Sequence, residues 1–122
     1  MIRNNLLTKQ LNRGGARMDP DIKTLWVEAL RSGNYPKGRE YLKKGGKFCC
    51  LGVLCEVAGL EQETWADGEV KFATAHDWSS TDLPQDFADE VGIDDYWCDY
   101  LMGENDYLAT FGELADVIEE YL

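Results

Sequence analysis

The fold is decided by the stretch Cys49–Leu60, with the sequence CCLGVLCEVAGL. Its only charged residue is Glu56, so a helix built from it is apolar on nearly every side. Such a helix belongs in the middle of a domain, where other elements cover its whole circumference. Because Gly52 has no side chain, it predicts that a neighbouring element approaches this helix closely. Gly59 predicts the end of the helix.

Upstream of this segment, the sequence predicts a first helix with clear ends. Asp19 can cap it, and Pro20 fits its first turn because the missing N–H is not needed there. Gly33 ends it. Apolar residues recur three and four positions apart and make one helical face: Ile22, Leu25, Trp26, Ala29 and Leu30.

Three more helices are predicted after residue 81. The first of them follows Pro84 and ends at Gly92. The last begins with a capping box formed by Thr110 and Glu113. The apolar residues that predict the three helices are Leu83, Phe87 and Val91; Tyr96, Trp97, Tyr100 and Leu101; and Phe111, Leu114, Ala115, Ile118 and Leu122.

The strand signals are short. Two runs on either side of Gly45-Gly46 predict a hairpin, and the alternation around Val70–Ala73 predicts a strand. Trp65 and Trp78 are expected to fill the core from irregular backbone. The predicted fold class is α+β, mainly α: one compact domain at residues 18–122, with about four to five helices and a small antiparallel β-hairpin or three-stranded sheet.

Residues 1–17 are expected to form a flexible basic leader, because they carry four basic residues, no acidic ones and a Gly14-Gly15 break. The alternative is a short amphipathic arm built on apolar residues. These are Ile2, Leu6, Leu7 and Leu11. Met18-Asp19-Pro20 would itself make a natural beginning, so the leader is either native, as an extension from an upstream start, or an addition to the native protein.

Composition limits the class of protein. The chain has 122 residues, of which 44% are hydrophobic, enough for a core of its own. No segment approaches the roughly 20 consecutive apolar residues of a membrane span, and the start lacks the apolar block of a secretory signal. We therefore expect a cytoplasmic protein without a membrane partner, whose four cysteines are free thiols.

Several segments occur together in this chain. They are WxxALRSGxY at Trp26–Tyr35, FCCLGVLC at Phe48–Cys55, Leu83-Pro84, Asn105-Asp106 ahead of Phe111, and the last-helix residues Ala115, Asp116, Ile118 and Glu119. Over about Thr24 to Glu119, this combination resembles a group of small phage and prophage proteins of unknown function. The resemblance implies an accessory gene that acts in a host cell. It implies no activity and no catalytic residue.

Charge divides the chain into two parts. Residues 1–47 hold 11 basic and 4 acidic residues, whereas residues 48–122 hold 1 and 19. With the resemblance, this split predicts an accessory protein that binds a host protein with a basic surface, such as a DNA-mimicking inhibitor of a defence or nucleic-acid-binding protein. Direct nucleic-acid binding is not expected at a pI near 4.4. The predicted partner-binding residues are Asp82, Asp86, Asp89, Glu90, Asp94, Asp95, Asp99, Glu104 and Asp106.

Two other hypotheses stay open. One is a small-molecule or nucleotide binder, acting as a sponge or an enzyme, with an aromatic pocket. Its predicted lining is Trp65, Trp78, Trp97 and Tyr100 with Arg39 or His76. The other is a self-associating component, a homo-oligomer with an exposed apolar patch on the first or last helix.

No catalytic, cofactor-binding or metal-binding residue is assigned, and a binding protein is more expected than an enzyme. Cys49, Cys50 and Cys55 lack C-x-x-C spacing and would need Cys98 or His76 to complete a zinc site, so we expect them to be buried hydrophobes. The pair Asn105-Asp106 is the most distinctive polar feature. We expect it in the turn before the last helix, where it would fix the helix entry.

Overall fold

A computed structural model describes residues 18–122 of the chain. These residues form five helices and five short strands. In chain order they are α1 (Pro20–Ser32), β1 (Lys43–Lys44), β2 (Lys47–Phe48), α2 (Cys50–Val57), β3 (Glu61–Thr64), β4 (Val70–Ala73), β5 (Trp78–Ser79), α3 (Gln85–Val91), α4 (Asp95–Tyr107) and α5 (Phe111–Tyr121). The predicted α+β, mainly α architecture is confirmed. The predicted leader, residues 1–17, lies outside the described residues.

Helix α1 has the ends that its sequence predicts. The Asp19 carboxylate accepts hydrogen bonds from the backbone N–H groups of Asp21 and Ile22, at 2.9 and 3.1 Å. Gly33 ends the helix in the left-handed conformation, at φ 78°. Its inner face packs on α2 and α5, and the indole N–H of buried Trp26 donates to the backbone oxygen of Cys50 at 2.8 Å.

Helix α2 is the buried centre of the domain, as predicted. All of its residues from Cys50 to Cys55 are buried, and α1 and α4 pack against it. Gly52 faces the backbone of Leu42 so closely that a Cβ built there would lie 1.7 Å from the Leu42 oxygen. The predicted close approach is therefore made by the segment that leads into β1.

The strands form two small antiparallel sheets. β1 and β2 make the predicted hairpin around Gly45-Gly46. β3, β4 and β5 form the second sheet in that order, and β4 is the predicted strand. One bridge between Lys44 and Glu69 links the two sheets. The sequence did not indicate β3, because EQET has no apolar alternation and all four residues are exposed.

The expectation that Trp65 and Trp78 fill the core is wrong. Their side chains are 40% and 53% exposed, and their rings meet edge to face with centroids 6.3 Å apart. Lys71 lies on the half-exposed side of β4, and its ammonium group is 5.0 Å from the Trp78 ring centre. The pair thus lies on the outer side of the second sheet, while Phe72 fills the core from the inner side.

The three helices predicted after residue 81 are confirmed as α3, α4 and α5, and the capping box of Thr110 and Glu113 is present at the start of α5. The predicted position of Asn105-Asp106 is wrong: the pair lies in the last turn of α4, not in the turn that follows it. The local preference of Asn and Asp for turns is overridden here, because Asn105 is fully buried and bonded to distant backbone.

The described chain begins beside its C-terminus. The backbone N–H of Met18 donates to the oxygen of Leu122 at 3.1 Å, and that of Asp19 donates to Val91 at 2.8 Å. Both Met18 and Leu122 are buried in the core. Within residues 18–122, no helix has the length and apolar content needed to cross a membrane.

Candidate functional site

Exposed aromatic side chains concentrate on helix α4. Tyr96, Tyr100 and Tyr107 are 66%, 39% and 72% exposed. Together with Gly103 they follow the spacing i, i+4, i+7 and i+11, which places them on one side of the helix. We call this side, with Trp97, Asp95, Asp99, Glu104 and the neighbouring Tyr121 of α5, the α4 face. Contiguous exposed apolar surfaces can mark interaction sites.

The rings at the start of the α4 face hold one another in place. Trp97 meets Tyr96 and Tyr100 edge to face, with ring centres 5.3 and 5.5 Å apart. On its other side, Trp97 stacks on Tyr121 of α5 at 5.9 Å and 24° between ring planes. Tyr96 and Tyr100 are nearly parallel to each other at 6.4 Å. Mutual contact of four rings restricts their rotamers, so the surface is ordered before any ligand arrives.

Carboxylates line both flanks of the tyrosine row. Asp95 and Asp99 are one helical turn apart on one flank, and Glu104 lies on the other. These three side chains are exposed and have no hydrogen-bond or ion-pair partner among residues 18–122. Asp94, by contrast, caps α4 by accepting a hydrogen bond from the backbone N–H of Trp97 at 3.0 Å.

The half-buried thiol of Cys98 packs against the core on the other side of α4, near acidic residues at the start of the helix. Its pKa is raised from 9.0 to about 12, first by burial and then by four carboxylates. In order of effect they are Asp95, Asp99, Asp94 and Asp82. All four carboxylates act on Cys98 in the same direction, against its ionisation.

Basic residues are missing from this part of the sequence. From Asp77 to Leu122 there are 14 acidic residues and no Lys, Arg or His. Arg31 of α1 neutralises part of α5 by bonding Asp116 and Glu119 at 2.9 and 3.0 Å. The acids of the α4 face receive no such neutralisation from the described residues, so their negative potential is directed to solvent.

The other predicted partner-binding acids are used differently. The two oxygens of the Asp86 carboxylate share the single proton of the Thr74 hydroxyl, at 2.7 and 2.6 Å, and Asp89 accepts a hydrogen bond from the Gln85 amide at 3.0 Å. Glu90 is exposed on α3. Asp106 is half-buried and accepts hydrogen bonds from the chain itself. Bonds within the chain thus occupy Asp86, Asp89 and Asp106, which leaves them less available to a partner.

The six predicted pocket residues do not form one cavity lining. Trp65 and Trp78 pair on the second sheet, whereas Trp97 and Tyr100 pair on α4, and no ring contact joins the two pairs among residues 18–122. Arg39 is exposed before β1, and His76 is exposed between β4 and β5. A groove of about 340 Å³ lies instead at the turn from α4 to α5. Its lining is Glu104, Tyr107, Leu108, Ala109, Glu113, Leu114 and Val117.

Asn105 has a structural role that sequence reasoning missed. Its carbonyl oxygen accepts a hydrogen bond from the backbone N–H of Cys50 at 3.1 Å, and its amide nitrogen donates to Gly38 at 3.1 Å. Its own backbone oxygen accepts from the Lys37 ammonium. Asp106 accepts from the backbone N–H of Glu40 at 3.1 Å. The pair therefore joins α4 to α2 and to the loop before β1, and the sequence signal for it was an Asn inside a helical apolar pattern.

The cysteines are suited to packing rather than to nucleophilic chemistry. Burial raises the pKa of Cys49 to about 12 and the pKa of Cys50 and Cys55 well above their usual value. At neutral pH the thiols stay protonated, and the thiolate is the reactive form. Cys49 instead caps α2, since its sulfur accepts from the N–H of Gly52 at 3.4 Å. Within residues 18–122 no group of three or more His, Cys, Asp or Glu side chains is arranged to hold a metal ion.

Comparison with known proteins assigns the chain to a family whose function is unknown. A family described as Domain of unknown function (DUF8296) has a model that matches residues 18–95. No curated protein and no solved structure matches the chain. The match ends at the first residue of α4, so most of the α4 face lies beyond it.

Proposed function

The chain belongs to this family of unknown function, and from its geometry we propose a protein-binding module whose α4 face takes a Lys- or Arg-rich segment of a partner. The observation that carries the proposal is the coincidence, on one helix, of an ordered aromatic row and unpartnered carboxylates. The three tyrosines and the three carboxylates lie outside the core, whereas Trp97 packs against it. An aromatic ring and a carboxylate each attract a cationic side chain at a surface.

The chemistry of the α4 face selects cations in two ways. A Lys or Arg group over an exposed aromatic ring gains about 0.5–1 kcal/mol, and an exposed ion pair contributes about 0.2–1 kcal/mol. The rows of Tyr96–Tyr100 and Asp95–Asp99 run side by side along the helix, so one cation can contact a ring and a carboxylate together. Several such contacts in a row favour a basic segment over a single small ion.

Gly103 supports the docking of a chain on this surface. It lies inside α4, where Gly costs about 1 kcal/mol relative to Ala. No atom would lie within 4 Å of a Cβ built there, so packing within the protein does not require a glycine. The missing side chain lowers the surface between Tyr100 and Tyr107, which lets a partner approach the helix backbone.

The resemblance to small phage and prophage proteins supports a host protein as the partner. Nucleic-acid-binding proteins are the sharpest form of this proposal, because they present Lys and Arg to phosphate groups. The α4 face would then occupy the surface that normally holds nucleic acid, as a DNA mimic does. Competition by double-stranded DNA for the same partner would support this form of the proposal, and simultaneous binding of both would contradict it.

The direct test is titration of a Lys- and Arg-rich peptide probe into matched variants at low salt. We expect Asp95→Asn with Asp99→Asn to weaken binding about fivefold to thirtyfold, from two ion pairs of about 0.5–1 kcal/mol each. The control, Glu28→Gln with Glu61→Gln, makes the same change in net charge at exposed positions elsewhere. Equal loss of affinity in the two double variants would mean that net charge alone attracts the probe, which would refute a site on α4.

The alternative hypothesis, a small-molecule binder, draws support from the groove between α4 and α5. Its volume of about 340 Å³ is within the range of ligand sites. Glu104 and Glu113 at its edge would favour a neutral or cationic ligand over a nucleotide. A Tm that rises with an amine-bearing ligand, and fails to rise in Val117→Trp, which fills the groove, would support this alternative.

A further inference from the structure

The basic N-terminal segment and the α4 face are complementary in charge. Residues 1–17 hold Arg3, Lys9, Arg13 and Arg17 without one acidic residue. The α4 face holds three exposed carboxylates with no partner in the described chain. Oppositely charged segments of one chain attract each other at the high effective concentration that a short tether provides.

The described chain begins near the edge of the α4 face. The N–H of Met18 bonds to the backbone oxygen of Leu122, and the adjacent Tyr121 stacks on Trp97 of the face. Met18, to which the segment is attached, is therefore linked through Leu122 and Tyr121 to the aromatic row. No long loop has to be closed to bring the two together.

The length of the segment matches the surface. α4 has 13 residues and so extends about 20 Å. Thirteen residues, the number in 1–13, span about 20 Å at the rise of a helix and more at the rise of a strand, so a stretch of this length is sufficient to follow α4. The apolar residues of the segment alternate with its cations, so that they can contact rings while the cations meet carboxylates. These apolar residues are Ile2, Leu6, Leu7 and Leu11.

From these observations we propose that residues 1–17 dock in cis on the α4 face and act as an intramolecular competitor of the basic partner. The inference rests on the proposed function for its biological meaning, but the docking itself can be tested without any partner. The partner must then displace the segment, which lowers its apparent affinity by the fraction of molecules in which the face is free.

The experiment uses the full chain in three forms. The first is unmodified, the second carries Arg3→Gln, Lys9→Gln and Arg13→Gln, and the third carries the control changes Asn4→Ser, Asn5→Ser and Gln10→Ser. All changes lie outside the core of residues 18–122, so each form should unfold at the same denaturant concentration. Backbone amide NMR spectra are recorded at low and high salt, and the peptide probe is titrated into each form.

In the unmodified chain and the control, we expect amide signals of Tyr96, Asp99 and Gly103 to shift when salt is added, as the segment is released. In the charge-neutralised form they should already hold the released positions. The probe should bind the neutralised form about tenfold more tightly, which corresponds to three weak surface ion pairs.

Three outcomes would overturn the proposal. One is that spectral differences between the forms are confined to the neighbours of Met18. Another is that the probe binds the unmodified and neutralised forms equally. The third is that the α4 shifts depend on protein concentration, because a second copy would then supply the segment. If the probe binds no form at all, the proposed function fails, while the amide shifts still decide whether the segment docks.

Discussion

Two glycines inside helices should respond in opposite ways to the same substitution. A Cβ at Gly52 would lie 1.7 Å from the oxygen and 2.5 Å from the carbonyl carbon of Leu42, whereas a Cβ at Gly103 would meet nothing within 4 Å. Both helices gain about 1 kcal/mol from Ala, because it restricts the unfolded chain and exposes less backbone. The difference between the two variants therefore measures the close approach of α2 to the segment before β1.

For Gly52→Ala, the backbones must separate by more than an ångström. Forcing a methyl group into a packed core costs roughly 3 kcal/mol at the upper end of the usual range, and loss of the hydrogen bond from Cys49 to Leu42 costs about 1 kcal/mol. After the helix gain, the net loss is about 3 kcal/mol, out of the roughly 5–15 kcal/mol that stabilises a domain. For Gly103→Ala the net effect is a gain of about 1 kcal/mol.

Urea unfolding followed by far-ultraviolet circular dichroism and by tryptophan fluorescence measures both changes. In thermal unfolding, Gly52→Ala should lower Tm by about 12 °C and Gly103→Ala should raise it by about 4 °C, given about 4 °C per kcal/mol at this chain length. A Gly52→Ala variant as stable as the unmodified protein would refute the close approach. A destabilised Gly103→Ala variant would mean that the space above α4 is occupied.

Further predictions concern buried polar groups and thiols. Cys49→Ser should change the free energy of unfolding by less than about 0.5 kcal/mol, because a serine hydroxyl can also cap α2. Cys55→Ser should lower it by about 1–3 kcal/mol, because it buries a hydroxyl without a partner. Urea unfolding measures both changes, and equal effects would contradict the capping role of Cys49. Asn105→Ala should lower the free energy of unfolding by about 2–4 kcal/mol by leaving backbone groups without partners, and a loss below 1 kcal/mol would contradict the bridging role. The pKa of Cys98 is raised from 9.0 to about 12, so the unfolded chain releases this proton first; its contribution to stability is complete below about pH 9 and is lost as the pH rises towards 12. Cys98→Ala should therefore reduce the loss of stability between pH 9 and 12, measured as the urea midpoint against pH, and an unchanged slope would contradict the assignment.

The candidate site was predictable in part. The concentration of acids in the second half of the chain is visible in the sequence, and Asp95, Asp99 and Glu104 were among the predicted partner-binding residues. The alternation of acids and aromatics along α4 is also a sequence feature. What the sequence did not show is that Asp86 and Asp106 accept hydrogen bonds from the chain itself, because their donors come from Thr74 and from the loop at Glu40.

The sequence by itself determined the helices, since their causes are local. Caps at Asp19 and Thr110, the stop at Gly33 and the apolar run from Cys50 act over a few residues, and they held in the fold. These local signals fix where a helix begins and ends without contacts from distant segments.

The tertiary structure alone decided which surfaces are shared between distant segments. Asn105 is an internal helix residue because Cys50 and Gly38 supply its hydrogen-bond partners, and a turn would leave those backbone groups unsatisfied. Trp97 and Tyr121 meet only because α4 and α5 pack side by side. Contacts of this kind depend on the burial of the whole core, a property that no local pattern contains.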